Sequence, residues 1–396
     1  MGSNNPDFSP DPSPDSSPDS SSPLITLTNP TPSELPKIFT LSHPKWGPAL
    51  TLQDYLDREA YLTTVPLSKN GGITHWLLTL SSPPSPSGER PILASCESIK
   101  KRAFYTTPSG SVREGVAHGI ASVFTDPKYR GRGYASRMMS DLGQRLKTWQ
   151  DGGEDRPVVF SVLYSDIGKG FYAKHGWAPF RSSHVSWTPS SAAGSPRGKG
   201  VKTIGYHELA ELCAVDERLL KERLAGLAKE DGGKKRHVAL APELDQLLWH
   251  LMREDFMTKH IFGRTPEVRG AVAGEKGRRV WAVWTRGYYG GLGKTEGNTL
   301  HVLRVVVEDE ENTAEEELVE GFKAIIGIAR AEADEWRSHD VQMWNPTGLV
   351  RGLVEKIGVE YEFVERDKES IASLMWYGEE EGEEVDWVAN EKYAWC

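Results

Sequence analysis

Cysteine is scarce in this sequence. Cys96, Cys213 and Cys396 stand far apart along 396 residues and form no CxxC pair. That excludes a disulfide framework and the usual zinc spacings, and it makes a reduced, cytoplasmic setting the expectation. HExxH is absent too, so no metal ligand set is expected. No run approaches the roughly 18 apolar residues that a membrane helix needs. The first residues lack the apolar core of a secretory signal and the basic character of a transit peptide, and Pro6 stands where a myristoylation signal wants Ser or Thr. Positive charge is in deficit, with 47 Lys and Arg against 56 Asp and Glu and a net charge of -9. A phosphate-backbone surface needs a basic stripe, so no nucleic-acid partner is expected; cationic substrates suit the balance better. Oligomeric state is left open.

What is present suggests two or three folding units, at about 150 residues each. Residues 1–22 are Ser, Pro and Asp with almost no apolar content, which predicts a disordered tail. A first unit over 23–188 opens on the β-rich run Leu24–Leu27. Two helices follow, marked by Leu35, Ile38 and Phe39, then by Leu52, Tyr55, Leu56 and Ala60. Strands are predicted at His75–Leu80, from Pro91 to about Tyr105, and at Val116–Thr125, the first two joined by the turn Ser81–Gly88. Ala135, Met138, Met139, Leu142 and Leu146 lie on one helical face. Val158–Tyr164 reads as a strand, Gly168–His175 as a short helix and Val185–Thr188 as a last strand. This order predicts a mixed α/β sheet with flanking helices. Residues 189–200 read as a linker. In 201–396, helices around Leu209–Leu224 and Leu244–Phe256 precede strands at Val280–Thr285 and Thr299–Val307, a long helix through Trp336 and a strand at Val341–Trp344. Strand, strand, helix, strand repeats the central unit of the first half, so an eroded α/β duplicate is expected.

The chemistry concentrates between the third strand and its helix, in Thr125-Asp-Pro-Lys-Tyr-Arg-Gly-Arg-Gly-Tyr-Ala-Ser136. Free amides at a helix start, with the positive end of its dipole, make an anion seat. Gly131 and Gly133 let the backbone approach a phosphate, and Arg130 and Arg132 add charge. A Walker loop and a GxGxxG dinucleotide turn are both absent.

Arg130-x-x-Gly133-x-Ala135 resembles the pyrophosphate signature of the GNAT acetyltransferase superfamily. Ser161 to Trp177, with Phe171-Tyr172 followed by Gly176-Trp177, resembles the second hallmark of that fold. The resemblance covers about residues 24–188. His118-Gly-Ile-Ala-Ser-Val-Phe-Thr125, Tyr164-Ser-Asp-Ile-Gly168, Ser373-Leu-Met-Trp-Tyr-Gly378 and Asn390-Glu-Lys-Tyr-Ala-Trp-Cys396 further resemble the fungal L-lysine N6-acetyltransferases, across both halves. The fold implied is a GNAT mixed sheet with flanking helices, followed by a second GNAT-like α/β half without a pyrophosphate loop.

This resemblance implies acetyl-CoA as co-substrate and a small amine, L-lysine first, as acceptor. Ser122, Val123, Phe124, Arg130, Gly131, Arg132, Gly133, Tyr134, Ala135, Ser136 and Phe171 are the expected cofactor-binding residues. A backbone amide of Ala121–Phe124 is expected to meet the thioester carbonyl. A lysine ammonium, of pKa about 10.4, must lose a proton before it attacks. Tyr172 is the expected acid for the departing thiolate. His118 is the first candidate for base, with Glu97 and Glu114 behind it. N-myristoyltransferases, which are tandem GNAT folds, use their terminal carboxylate as base, and the aromatic end Trp387–Cys396, which Tyr393 and Trp395 could pin, makes the Cys396 carboxylate a further candidate. Three other readings stay open: a polyamine acceptor, a protein lysine or N-terminus as acceptor, and a non-catalytic sensor of acetyl-CoA or an amino acid.

Overall fold

In the computed structural model, which describes residues 18–81, 90–191, 200–378 and 383–395, the β-rich runs assemble into two sheets that exchange strands. In chain order the first half forms β1 (Ile25–Thr28), α1 (Leu35–Trp46), α2 (Leu52–Leu62), β2 (Ile73–Leu80), β3 (Ala94–Thr106), β4 (Val112–Thr125), α3 (Tyr134–Leu146), β5 (Val158–Ser165), α4 (Gly170–Ala173), β6 (Ala178–Pro179) and β7 (Ser183–Trp187). The second forms β8 (Lys202–Ile204), α5 (Tyr206–Glu230), β9 (Lys235–Leu240), α6 (Leu244–Phe262), β10 (Gly270–Ala273), β11 (Val280–Tyr288), β12 (Asn298–Val307), α7 (Glu315–Glu335), β13 (Asp340–Trp344), α8 (Gly348–Lys356), β14 (Glu362–Glu365), β15 (Ile371–Trp376) and β16 (Glu384–Trp387).

The first sheet runs β1-β2-β3-β4-β5-β15-β6, with β9 paired to β3 and β16 to β9. The second runs β14-β7-β13-β12-β11-β10-β8. In the first, β3 and β4 are antiparallel, α3 crosses over, and β5 returns parallel to β4. In the second, β11 and β12 are antiparallel, α7 crosses over, and β13 returns parallel to β12. The same β-β-α-β unit therefore occurs twice, as its recurrence in the sequence suggests.

The strand predicted to close the first half does not join the first sheet. β7 pairs with β13, Val185 opposite Met343 and Trp187 opposite Val341. Its alternation explains the choice: Val185 and Trp187 are buried among Val341, Met343 and the α7 side chains Ile325 and Ala329. The position beside β5 goes to β15, whose Ile371, Ala372, Ser373 and Leu374 are buried in succession, as in a strand covered on both faces.

Beneath α3, Met138, Met139, Leu142 and Leu146 are fully buried against Trp76, Ile120, Leu163 and Trp177. Burying each such side chain contributes about 1.5–3 kcal/mol and fixes where the helix begins. A second cluster, including Phe160, Val162, Leu240, Trp281, Leu303 and Tyr393, joins the two sheets. Buried charge pins the same region: Arg304 donates to both Asp216 oxygens, at 2.8 and 2.7 Å, and also to Glu391.

Residues 18–22, predicted as the end of the tail, form a turn seated on α3. Tyr134 Oη donates to Pro18 O at 2.6 Å and Arg137 Nη1 to Ser20 O at 3.0 Å. Residues 1–17 lie outside the described residues, as do most of the turn at 81–88 and of the linker. Cys96 and Cys213 are buried free thiols. Among the described residues no helix is long and apolar enough to cross a membrane.

Candidate active site

The site begins where two parallel strands part. β4 and β5 pair from Val116↔Val158 to Ile120↔Leu163, and there the pairing stops although both strands continue. On its other side β4 carries a bulge: Glu97 faces Ala121 and Ser95 faces Phe124, so Ser122 and Val123 together oppose Cys96. Ser122 takes a left-handed φ of 54°, a conformation that costs a non-glycine residue energy and clusters at functional sites. The result is a cleft of about 750 Å³, lined by Ile120–Thr125, Leu163, Tyr164, the start of α3 and part of α4.

The start of α3 supplies the anion seat. Gly131 and Gly133 have φ of 77° and 82°. A Cβ built on Gly133 would approach Ser20 Oγ to 2.6 Å, so this position suits glycine on two counts. The N-cap Gly133 has no side chain to cap the helix and no acidic residue lies in the first turn, so nothing in the helix itself offsets the positive end of its dipole. Arg130 reaches back along the cleft, with Nε on Thr125 O at 3.2 Å and its guanidinium 5.5 Å from the Phe124 ring centre. The equivalent helix of the second unit is built differently: α7 carries Glu315, Glu316 and Glu317 in its first turn, which repel an anion. A diphosphate fits the first helix and not the second.

Most of the residues expected at the cofactor converge. Ser122, Val123, Phe124, Arg130, Gly131, Gly133, Tyr134, Ala135, Ser136, Phe171 and Tyr172 all line the cleft, whereas Arg132 does not. Tyr172 is 7% exposed, and burial raises its phenol above the usual range, so the group keeps its proton. Its hydroxyl makes no hydrogen bond among the described residues.

His118 is not brought to the site. It is fully buried, lines neither this cleft nor its neighbour, and binds Trp149 O through Nε2 at 2.9 Å. Burial pushes its imidazole down to about 4, leaving a neutral ring that tethers the end of α3. Glu114 lies in an ion cluster with Arg102, Arg156 and Lys221, at 3.0–3.1 Å. Cys396 lies outside the described residues, while Trp395 lines the cleft.

Glu97, ranked behind His118 in the sequence, is the carboxylate with access to the bulge. Ser122 Oγ donates to Glu97 Oε1 at 2.8 Å. Ser122 lines both the cleft and a small cavity behind it, whose wall also includes Glu59, His75 and Glu97. Burial, and then the charge of Glu59, push Glu97 up to about 7. His75 Nδ1 lies 3.5 Å from Glu97 Oε2, but burial holds His75 down at about 4, so it brings no charge near neutrality. A carboxyl that titrates near 7 is suited to accept a proton.

A second cavity, of about 510 Å³, adjoins the cleft. It shares Lys45, Trp46, Asp166 and Trp395 with the cleft and extends over the second sheet to His301, Trp344 and Arg366. No local pattern signals it, because its walls come from α1, α6, β11, β12, β13 and the segments around Arg366 and Lys392.

Split parallel strands over an uncapped, glycine-led helix define this protein as a GNAT N-acetyltransferase by fold and site. The solved structure of a probable N-acyltransferase from Enterococcus faecalis V583 has the same fold, with a TM-score of 0.52 at 12% identity over 88% of this chain and 72% of its own. The chain belongs to the family of the LYC1 GNAT-like C-terminal domain, whose model matches residues 184–396. It is 25% identical over 295 residues to a lysine acetyltransferase of Yarrowia lipolytica, covering 65% of this chain and 71% of that one. It is also 25% identical over 239 residues to the uncharacterized protein YGR111W of Saccharomyces cerevisiae, covering 54% and 59% respectively.

Proposed function

We propose that the protein transfers the acetyl group of acetyl-CoA to the ε-amine of free L-lysine, by direct attack in a ternary complex. The observation that carries this reading is the cleft, with a bulged strand at one wall, an uncapped helix start at one end and a proton-holding tyrosine facing in. The name of the Yarrowia relative and the family membership support lysine as acceptor.

The first amides of α3, with Gly131, Gly133 and Arg130, hold the cofactor's diphosphate. The backbone amides of the Ala121–Phe124 bulge meet the thioester carbonyl and stabilise the oxyanion that forms on attack. Ser122 passes its hydroxyl proton to Glu97 as it takes one from the attacking amine, so a buried carboxylate acts through one intervening group. As the carbon–sulfur bond breaks, Tyr172 donates its phenolic proton to the leaving thiolate. The products are CoA and N6-acetyl-lysine.

The test is release of free CoA from acetyl-CoA by purified protein, offered L-lysine, ornithine, polyamines or a lysine peptide. Turnover with L-lysine, giving N6-acetyl-lysine, is the expected result. Acetyl-CoA binding without turnover on any amine would overturn the catalytic reading in favour of a sensor.

A further inference from the structure

We propose that Arg366 is a carboxylate clamp, and that the second cavity takes an α-amino acid whose side-chain amine extends toward Ser122 and Tyr172. This inference rests on the transferase reading and names the acceptor subsite that it needs.

Arg366 follows β14, its backbone tied by N–H donation to Ser182 O at 2.8 Å. Nη1 donates to Ser183 O at 2.8 Å, and the guanidinium carbon lies over Trp344, 4.1 Å from the ring centre. The guanidinium is thus held in place by a cation–π contact and a hydrogen bond. Its other edge is open: Nε and Nη2 are both buried and have no hydrogen-bond partner among the described residues. These two N–H groups point the same way along one side of the guanidinium, the geometry that grips a carboxylate with two parallel bonds.

Among the described residues no acid pairs with that edge. Asp166 and Glu369 are the acids of the cavity wall; Asp166 accepts from Ser370 N at 3.1 Å, and neither pairs with Arg366. Arg286, in the same wall, bonds Glu254 and Glu332 at 2.6 and 2.5 Å. Burial without a counter-ion pulls the Arg366 guanidinium down to about 10. A buried charge with no partner is costly, and a ligand carboxylate would relieve that cost. Lys45 and Arg253 also line the cavity, so it disfavours a polyamine and favours a molecule with an anionic end. Because the two cavities share four wall residues, one ligand can have its carboxylate on Arg366 and its amine at the bulge.

Binding and turnover are measured separately, with the full chain. Calorimetric titration in the presence of CoA should show binding of L-lysine and of L-norleucine, which keeps the carboxylate and lacks the amine, but not of 1,5-diaminopentane. Arg366→Met should weaken amino-acid binding roughly 30- to 4000-fold, the range for truncating one partner of a buried charged pair, and leave acetyl-CoA affinity unchanged. Arg366→Lys, which keeps charge but loses the two-pronged edge, should fall between. Equal wild-type affinity for diaminopentane and lysine overturns the clamp without relying on any variant's folding. Norleucine binding that is unchanged in a folded Arg366→Met protein overturns it too. Norleucine binding lost in Arg366→Met, with no turnover of any amine, would keep the clamp and remove the transferase reading.

Discussion

Replacing Glu97 with Gln tests the proton path in two independent assays. Gln retains an oxygen to accept from Ser122, so the 2.8 Å contact that supports the bulge can survive. What disappears is a titration displaced upward from an ordinary value near 4.5 to about 7, caused first by burial and then by Glu59. The ionised carboxylate is the base, so wild-type kcat/KM should rise with pH along a limb centred near 7 and level off above it. In the variant that limb should vanish, with kcat falling about 10²- to 10⁴-fold, the usual contribution of a positioned base. Stability carries the same signature with its own sign. A raised carboxyl pKa contributes stability that is fully present below about 4.5 and is lost as pH climbs through 7, in all about 3 kcal/mol. Urea denaturation between about pH 4 and 8 should show that decline in the wild type relative to Glu97→Gln. A variant with wild-type turnover and an unchanged pH limb would refute the assignment. A wild-type limb with no matching difference in stability would assign the titration to another group.

Three further outcomes follow from the geometry. Tyr172→Phe should lower kcat about 10²-fold or more while acetyl-CoA affinity, measured by titration, stays near wild type. Gly133→Ala puts a side chain at φ 82° and against Ser20 Oγ, so a cost of about 1–2 kcal/mol and a raised KM for acetyl-CoA are expected, read from thermal melts and initial rates. Arg304→Met leaves Asp216 and Glu391 buried without their cation, and urea denaturation should show a loss of about 3–5 kcal/mol.

The anion seat was legible in the sequence because everything it needs is local. Strand, glycine turn and amphipathic helix lie within Gly119–Leu146, and each is dictated by short-range periodicity or by φ. The proposed base was harder to see. Glu97 lies some 25 residues from Ser122, and the two meet only because a bulge shifts the register between β3 and β4 by one residue, which alternation does not reveal. His118 drew attention because it lies on the same strand, yet residues on one strand alternate between faces, and its ring turns into the sheet's interior beside Trp149. The position of β7 was beyond local reading for another reason. Val185 and Trp187 need an apolar face, and either sheet offers one; the choice is made by α7, more than a hundred residues later. The short strands β8, β10, β14 and β16, each of three or four residues, carry too little pattern to stand out.

The two β-β-α-β units face different problems with the same architecture. In the first, the parallel pair parts at Ile120↔Leu163 and the helix that joins its strands begins after a glycine, with no acidic residue in its first turn. In the second, the pairing also stops, at Val302↔Met343, while β12 runs on to Val307, but its helix begins with three glutamates. Those glutamates repel a diphosphate at α7. The sheet of this unit instead contributes Thr285, His301, Gln342 and Trp344 to the wall of the second cavity. Trp344 is the ring over which the Arg366 guanidinium lies, and its strand also anchors β7, the strand exchanged from the first half. Strand exchange thus fixes the wall of the second cavity to the first unit: β7 ties β13 to the first half of the chain, and β15 lies beside β5. On the proposed reading, the second unit is in this way held where a small acceptor can be enclosed.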